Sequence, residues 1–192
     1  MKKINSLKTI KLLALFFISS LALVSCSSDD DHDDDHEHEE ELITTVIYTL
    51  EDANGNTVTL TFEDLDGDGG ADGTTEVSGS FVANTQYSGS IQLLNETEDP
   101  AEDITEEVEE EGDEHEFFYT STISDIVITK NDVDEDGNPI GIDTSLTTGE
   151  AGTGSLTIVL KHEPTKPNDG TSEDAGGSTD VEVTFAIEVV FT

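Results

Sequence analysis

Residues 180–191 read DVEVTFAIEVVF, and their strict alternation decides the fold class. Every second side chain is apolar, and this set comprises Val181, Val183, Phe185, Ile187, Val189 and Phe191. A period of two places alternate side chains on opposite faces of a β-strand. The stretch therefore predicts an amphipathic strand with one buried face and one solvated face.

The same period of two recurs through most of the chain after Leu42. It predicts further strands at 45–50, 57–62, 75–82, 87–94, 116–121, 124–130, 140–147 and 154–162. The dipeptide Asn54-Gly55 is typical of a tight β-hairpin turn. We expect an antiparallel β-sandwich of about eight or nine strands.

Two segments depart from this alternation. Asp99 can cap a short acidic helix near 100–111, with Pro100 in its first position and Gly112 just after its end. Residues 163–179, with two prolines and three glycines, are predicted to form a long exposed loop.

Residues 1–25 have the organisation of a secretory signal. Lysines precede an apolar run at 12–24, and small residues then lead to Cys26, the only cysteine. A bacterial lipobox places its acylated cysteine at this position, and two acyl chains would anchor the protein stably. An ordinary secretory signal or a membrane anchor is the alternative. We predict a signal peptide at 1–25, an acylated tether at 26–41 and one domain at 42–192.

The charge balance limits the possible partners. Without residues 1–25, the chain holds 45 acidic residues against Lys130, Lys161 and Lys166, and it has no arginine. Phosphate contacts require Lys and Arg, so we expect no nucleic-acid partner, and direct binding to anionic lipid is also disfavoured. Hard divalent cations would relieve the repulsion among carboxylates. The alternative is that most of these acids only keep the surface soluble.

A DxDxDG motif occurs twice. The two copies are Asp64, Asp66, Asp68 with Gly69, and Asp132, Asp134, Asp136 with Gly137. Oxygens at alternating positions, followed by a glycine that permits a sharp turn, can wrap calcium. Position 12 of an EF-hand loop is a bidentate glutamate, whereas it is Thr75 and Asp143 here, so neither copy is an EF-hand. The alternative is that Asp, Asn and Gly simply form good turns.

Histidine is the second sign of metal binding. His32, His36 and His38 lie in the acidic tether, which is either a weak metal trap or a solvated linker. His162 continues the inward register of its strand, and His115 lies between the acidic helix and an aromatic strand. If these elements converge, a transition metal such as zinc would bind His115, His162, Glu111 and Glu163. Histidines hydrogen-bonded to neighbouring carboxylates are the alternative.

The motifs of common enzymes do not occur. The sequence has neither GxSxG nor HExxH, and it lacks a phosphate-binding glycine loop. We therefore predict a protein that is not an enzyme.

Several long sequence segments resemble those of a group of small predicted lipoproteins from the Bacteroidetes lineage. They are VTLTFEDLDGDGG, SGSIQLLNETEDPAEDITEEVEEEGDEHEFFY, DEDGNPIG, GTGSLTIVLKHEPTK and AGGSTDVEVTF. Such proteins are sometimes labelled type 1 periplasmic-binding-fold, which implies a two-lobed α/β protein, whereas the alternation predicts an all-β domain. Residues 27–31, SSDDD, resemble the export signal of surface lipoproteins in that lineage. The resemblance implies display on the outer membrane beside a TonB-dependent transporter, with periplasm-facing anchoring as the alternative.

Two functions remain open from the sequence. The first is a surface lipoprotein that binds divalent metal as an accessory to an outer-membrane uptake system. The second is a β-sandwich adhesion or protein-interaction module in which calcium is only structural.

Overall fold

The computed structural model describes residues 42–65 and 73–191. Its strands are β1 (Thr45–Asp52), β2 (Thr57–Glu63), β3 (Thr74–Ser78), β4 (Phe81–Val82), β5 (Gln86–Asn95), β6 (Glu102–Asp103), β7 (His115–Ser121), β8 (Val127–Lys130), β9 (Asp143–Thr147), β10 (Gly152–His162) and β11 (Ser178–Val190). Two short helices are α1 (Thr105–Glu110) and α2 (Ser172–Ala175). The segments predicted as a signal peptide (1–25) and an acylated tether (26–41), Cys26 included, lie outside the described residues.

The strands form two sheets, so the predicted all-β sandwich is confirmed. The larger sheet has seven strands in the order β3-β2-β1-β5-β9-β8, with β6 paired to β5. The smaller sheet has four strands in the order β4-β11-β10-β7. All pairs are antiparallel except β4 with β11. Within the described ranges, no helix is long and apolar enough to cross a lipid bilayer.

Alternation along the strands builds the core. On β11, Val181, Val183, Phe185, Ile187 and Val189 are all buried, as the sequence predicts. Phe191 was predicted on the same face but is 74% exposed, because it lies beyond the end of β11. The opposing sheet contributes alternate residues of β1 and β5 to the same core.

A buried hydrogen bond joins β1 to β9 in the larger sheet, across the intervening strand β5. The Tyr48 hydroxyl and Thr144 Oγ1 lie 2.6 Å apart and are buried. Burial raises the pKa of Tyr48 to about 12, despite the opposing effect of the Thr144 hydrogen bond. A Cβ at Gly89 would lie 2.4 Å from Thr144 Oγ1 and 2.7 Å from the Tyr48 hydroxyl. Gly89 is therefore required for this close packing.

The hairpin predicted at Asn54-Gly55 is confirmed between β1 and β2. Gly55 has a φ of 84°, which suits a residue without a side chain. The Asp52 carboxylate accepts hydrogen bonds from Asn56 Nδ2 (2.8 Å), the Asn56 amide (2.9 Å) and the Asn54 amide (2.8 Å). These bonds, those from Asn56 above all, lower the pKa of Asp52 to about 2.

The strands predicted at 124–130 and 140–147 each begin three residues later, and two other predicted elements differ more strongly from the structure. The strand predicted at 75–82 is two strands in different sheets, because the chain turns at Gly79, where φ is 100°. The acidic helix begins at Thr105 rather than at Pro100. Glu102 and Asp103 instead pair with β5 as a short strand, so the helix can begin only after them.

The segment at 163–179 is not simply an exposed loop. It contains α2, and Ala175 is fully buried in a small cluster with Phe118 and Val159 on the outer face of the smaller sheet. Lys166 Nζ lies 3.3 Å from both Asp134 Oδ2 and the Pro139 carbonyl. The segment therefore covers part of that sheet.

Candidate metal centre

The ends of three adjacent strands bring two histidines and an aspartate together. His115 begins β7, His162 ends β10, and the two residues are direct partners across the antiparallel pair. Their ring centroids lie 4.8 Å apart. Asp180 lies near the start of β11, on the other side of β10.

A β-bulge explains how Asp180 joins the cluster. Leu160 pairs with Val181, but the next residue, Lys161, pairs with Thr179, so Asp180 is the extra residue of β11. Strict alternation with buried Val181 would direct Asp180 to solvent, whereas its side chain is fully buried. An extra residue of this kind redirects a side chain and commonly does so near functional sites.

Gly177 allows the chain to approach the site closely before this bulge. A Cβ at this position would lie 2.2 Å from the His162 carbonyl oxygen. Its φ of 68° is also a conformation that favours glycine. We infer that Gly177 is needed to place Asp180 beside His162.

The cluster is buried, and its three ligand atoms all lie within 4.8 Å of one another. His115 is 0% and His162 is 4% exposed. Asp180 Oδ2 lies 3.9 Å from His115 Nε2, and Asp180 Oδ1 lies 3.8 Å from His162 Nδ1. Ligands of a tetrahedral zinc ion, at bond lengths of about 2.0–2.1 Å, lie roughly 3.3–3.5 Å apart. The three side chains would therefore have to move closer together to bind one ion.

Each imidazole also has a contact on the side away from Asp180, and the hydrogen bond of His115 assigns its tautomer. His115 Nδ1 lies 3.2 Å from the Glu111 carbonyl oxygen, which can only accept a hydrogen bond, so Nδ1 is the donor. The lone pair of the neutral ring is then on Nε2, the nitrogen that faces Asp180. His162 Nε2 lies 3.8 Å from Glu114 Oε2, while Nδ1 is directed to Asp180. Such outer partners of metal-bound histidines fix the ring orientation and the tautomer.

The structure brings some of the residues predicted as ligands close together. His115 and His162 meet, and Glu163 forms a second group with Glu114 and His162, whose ligand atoms lie within 4.8 Å of one another. Glu111 contacts His115 through its backbone carbonyl. Asp180 and Glu114 were not predicted from the sequence. Glu114 directly precedes His115, but a carboxylate in so acidic a segment carries no distinctive signal.

The second DxDxDG loop is organised by its own hydrogen bonds. The Asp132 carboxylate accepts from the amides of Gly141 (2.9 Å) and Ile142 (2.8 Å). Asp134 Oδ1 accepts from the amides of Asp136 (3.0 Å) and Asn138 (2.8 Å). Burial raises the pKa of Asp134, but hydrogen bonds from Asn138 and Lys166 outweigh it, so the pKa is lowered. These contacts favour a turn-forming role here, and the ammonium of Lys166 opposes a calcium ion.

The first DxDxDG loop is described only in part. Asp64 follows β2, and its amide donates to the Thr44 carbonyl (2.7 Å). Asp66 and Asp68 lie outside the described residues. Calcium binding at this loop therefore stays a prediction.

Two lysines neutralise carboxylates away from the histidine cluster. Lys130 forms an ion pair with buried Glu116, and its Nζ lies 4.3 Å from the centre of the Phe118 ring. Lys166 pairs with Asp134 at 3.3 Å. These cations support the covering segment and the second acidic loop.

Comparison of this chain with known proteins gave no match among family models, curated proteins or solved structures. The resemblance to small Bacteroidetes lipoproteins therefore stays a prediction. The functional argument depends on the geometry of the site itself.

Proposed function

We propose that this protein is a lipid-anchored surface protein that reversibly binds a divalent transition-metal ion, with zinc as the best match. The observation that carries the proposal is the buried cluster of His115, His162 and Asp180. Two imidazoles and one carboxylate form a typical ligand set for zinc, and three protein ligands leave the fourth position to water.

The chemistry of the facing groups is a second argument for a metal. The Asp180 side chain has 0% exposure and faces His115 Nε2 at 3.9 Å and His162 Nδ1 at 3.8 Å. A divalent ion held by these three groups would place its positive charge beside the buried carboxylate.

The surrounding charge suits capture of a cation from outside the cell. The segment before His115 includes Glu109, Glu110, Asp113 and Glu114, so the chain next to the cluster carries a strong negative charge. Such a field raises the local concentration of cations and their rate of association. With acylation at Cys26, these properties support a non-enzymatic accessory of an outer-membrane, TonB-dependent uptake system.

Zinc titration by calorimetry tests the metal-binding proposal. All proteins would carry H32A, H36A and H38A, because the tether histidines are competing ligands. The account expects one zinc per chain and at least about a 100-fold loss of affinity in His115→Ala. His162→Gln provides a second variant of similar size if His115→Ala fails to fold. Unchanged binding in a folded variant would contradict the proposal, and calcium binding alone would favour the interaction-module alternative.

Protease treatment of intact cells tests the proposed location. Surface display predicts that external protease digests the domain while the cells remain intact. Full protection would contradict surface display and favour periplasm-facing anchoring. Cys26→Ser should release the protein from the membrane fraction, since the acylated thiol is the proposed anchor.

A further inference from the structure

His162 belongs to two groups of ligand atoms, one on each side of its ring. Nδ1 lies 3.8 Å from Asp180 Oδ1, in the buried cluster. Nε2 lies 3.8 Å from Glu114 Oε2, whose side chain is 29% exposed. The second group is completed by Glu163, which is exposed. Glu114 Oε2 and His162 Nε2 are buried atoms, so Glu163 is the member that connects this second group with solvent.

The backbone holds the two outer carboxylates in place. The Glu163 amide donates a hydrogen bond of 2.7 Å to the Glu114 carbonyl oxygen, which joins the two residues across the strand ends. Glu163 has a φ of 50°, a left-handed conformation that is uncommon for a residue with a side chain. One ligand atom from each of Glu114, His162 and Glu163 lies within 4.8 Å of the others.

We propose that Glu114, Glu163 and His162 Nε2 form an outer position through which a divalent transition ion enters and leaves the inner site. This inference rests on the proposed function and adds the route to the same site. Two carboxylates and one imidazole leave several coordination positions to water, so an ion there exchanges rapidly. At equilibrium the ion is bound at the inner site, which is the buried cluster of His115, His162 and Asp180.

The two positions are used in turn because a neutral imidazole has only one lone pair on nitrogen. While the ion is bound at Nε2, the ring proton is on Nδ1 and faces Asp180. When the ion moves to Nδ1, the ring releases its Nδ1 proton to water and takes up one proton from water at Nε2, beside Glu114. No net proton is gained or lost in this transfer, and the chain binds one ion throughout.

The test compares exchange rates with affinity in Glu163→Gln. This residue belongs to the outer group alone, whereas Glu114 also orients the ring of His162. The matched control is Glu188→Gln, which makes the same charge change at an exposed residue of β11. Glu188 pairs with Thr153, at the end of the β10–β11 pair that is far from His162. Zinc uptake and zinc release to a coloured chelator would be followed by stopped flow in the full chain without tether histidines.

An entry position predicts that Glu163→Gln slows uptake and release together, each by about five-fold or more, with an affinity changed less than two-fold. Glu188→Gln should match the parent protein in both rates. Unchanged rates in Glu163→Gln would overturn the inference while leaving the inner site intact. Faster release with unchanged uptake would also overturn it, because Glu163 would then be a ligand of the final site. Absence of zinc binding in the parent would refute both this inference and the proposed function.

Discussion

Asp180→Asn separates the metal role of the buried carboxylate from its role in packing. Asparagine keeps the shape of the side chain but loses the charge and one ligating oxygen. The unfolding free energy of the chelator-treated variant is the baseline, and it contains any change in packing and buried charge. A further loss of stability should appear when zinc is present, because a carboxylate oxygen is the better zinc ligand.

The size of that effect follows from linkage. At free zinc equal to 100 times the dissociation constant, binding stabilises the parent by about 2.7 kcal/mol. If the variant binds about 100-fold more weakly, the same zinc stabilises it by only about 0.4 kcal/mol. The difference, about 2.3 kcal/mol, corresponds to about 5–9 °C in Tm for a domain of this size.

Thermal unfolding by circular dichroism, with zinc and with chelator, measures this difference. Asp143→Asn is the matched control, since Asp143 is an exposed aspartate on β9 in the other sheet. The control should respond to zinc like the parent protein. Equal zinc responses in Asp180→Asn and the parent would refute the reasoning, because Asp180 would then not be a ligand.

Two predictions concern the fold rather than the metal. Gly89→Ala would place a Cβ against the Tyr48–Thr144 hydrogen bond and should cost about 2–4 kcal/mol in urea unfolding. Gly152→Ala, where a Cβ meets nothing within 4 Å, is the control, and equal losses would contradict the packing argument. The pKa of Asp52 is lowered to about 2, so its ionised form stabilises the fold above about pH 4, and this contribution is lost as the pH falls towards 2. Asp52→Asn should therefore be less stable than the parent at pH 7, and the gap in Tm should narrow between pH 4 and pH 2; a gap independent of pH would contradict the assignment.

The sequence predicts the class of fold because alternation is a local property. The buried face of β11 and the hairpin at Gly55 follow directly from neighbouring residues. The start of α1 does not, because Glu102 and Asp103 are drawn into pairing with a strand that is distant in the fold. The packing of Ala175 on the smaller sheet is likewise a tertiary contact without a local signal.

The site shows the same division between local and long-range information. The inward register predicts buried His162, and its pairing with His115 follows once β7 and β10 are neighbours. Asp180 could not be predicted, because alternation with Val181 assigns it to the solvent face and the bulge reverses that assignment. Bulges depend on pairing between strands, so one strand read alone does not reveal them.

The most direct test of the central claim is anomalous diffraction from crystals of the protein grown with zinc. The account predicts a zinc peak at about 2.0–2.1 Å from His115 Nε2 and His162 Nδ1, with an Asp180 oxygen as the third protein ligand. A crystal in which zinc occupies other residues while this cluster stays unchanged would contradict it.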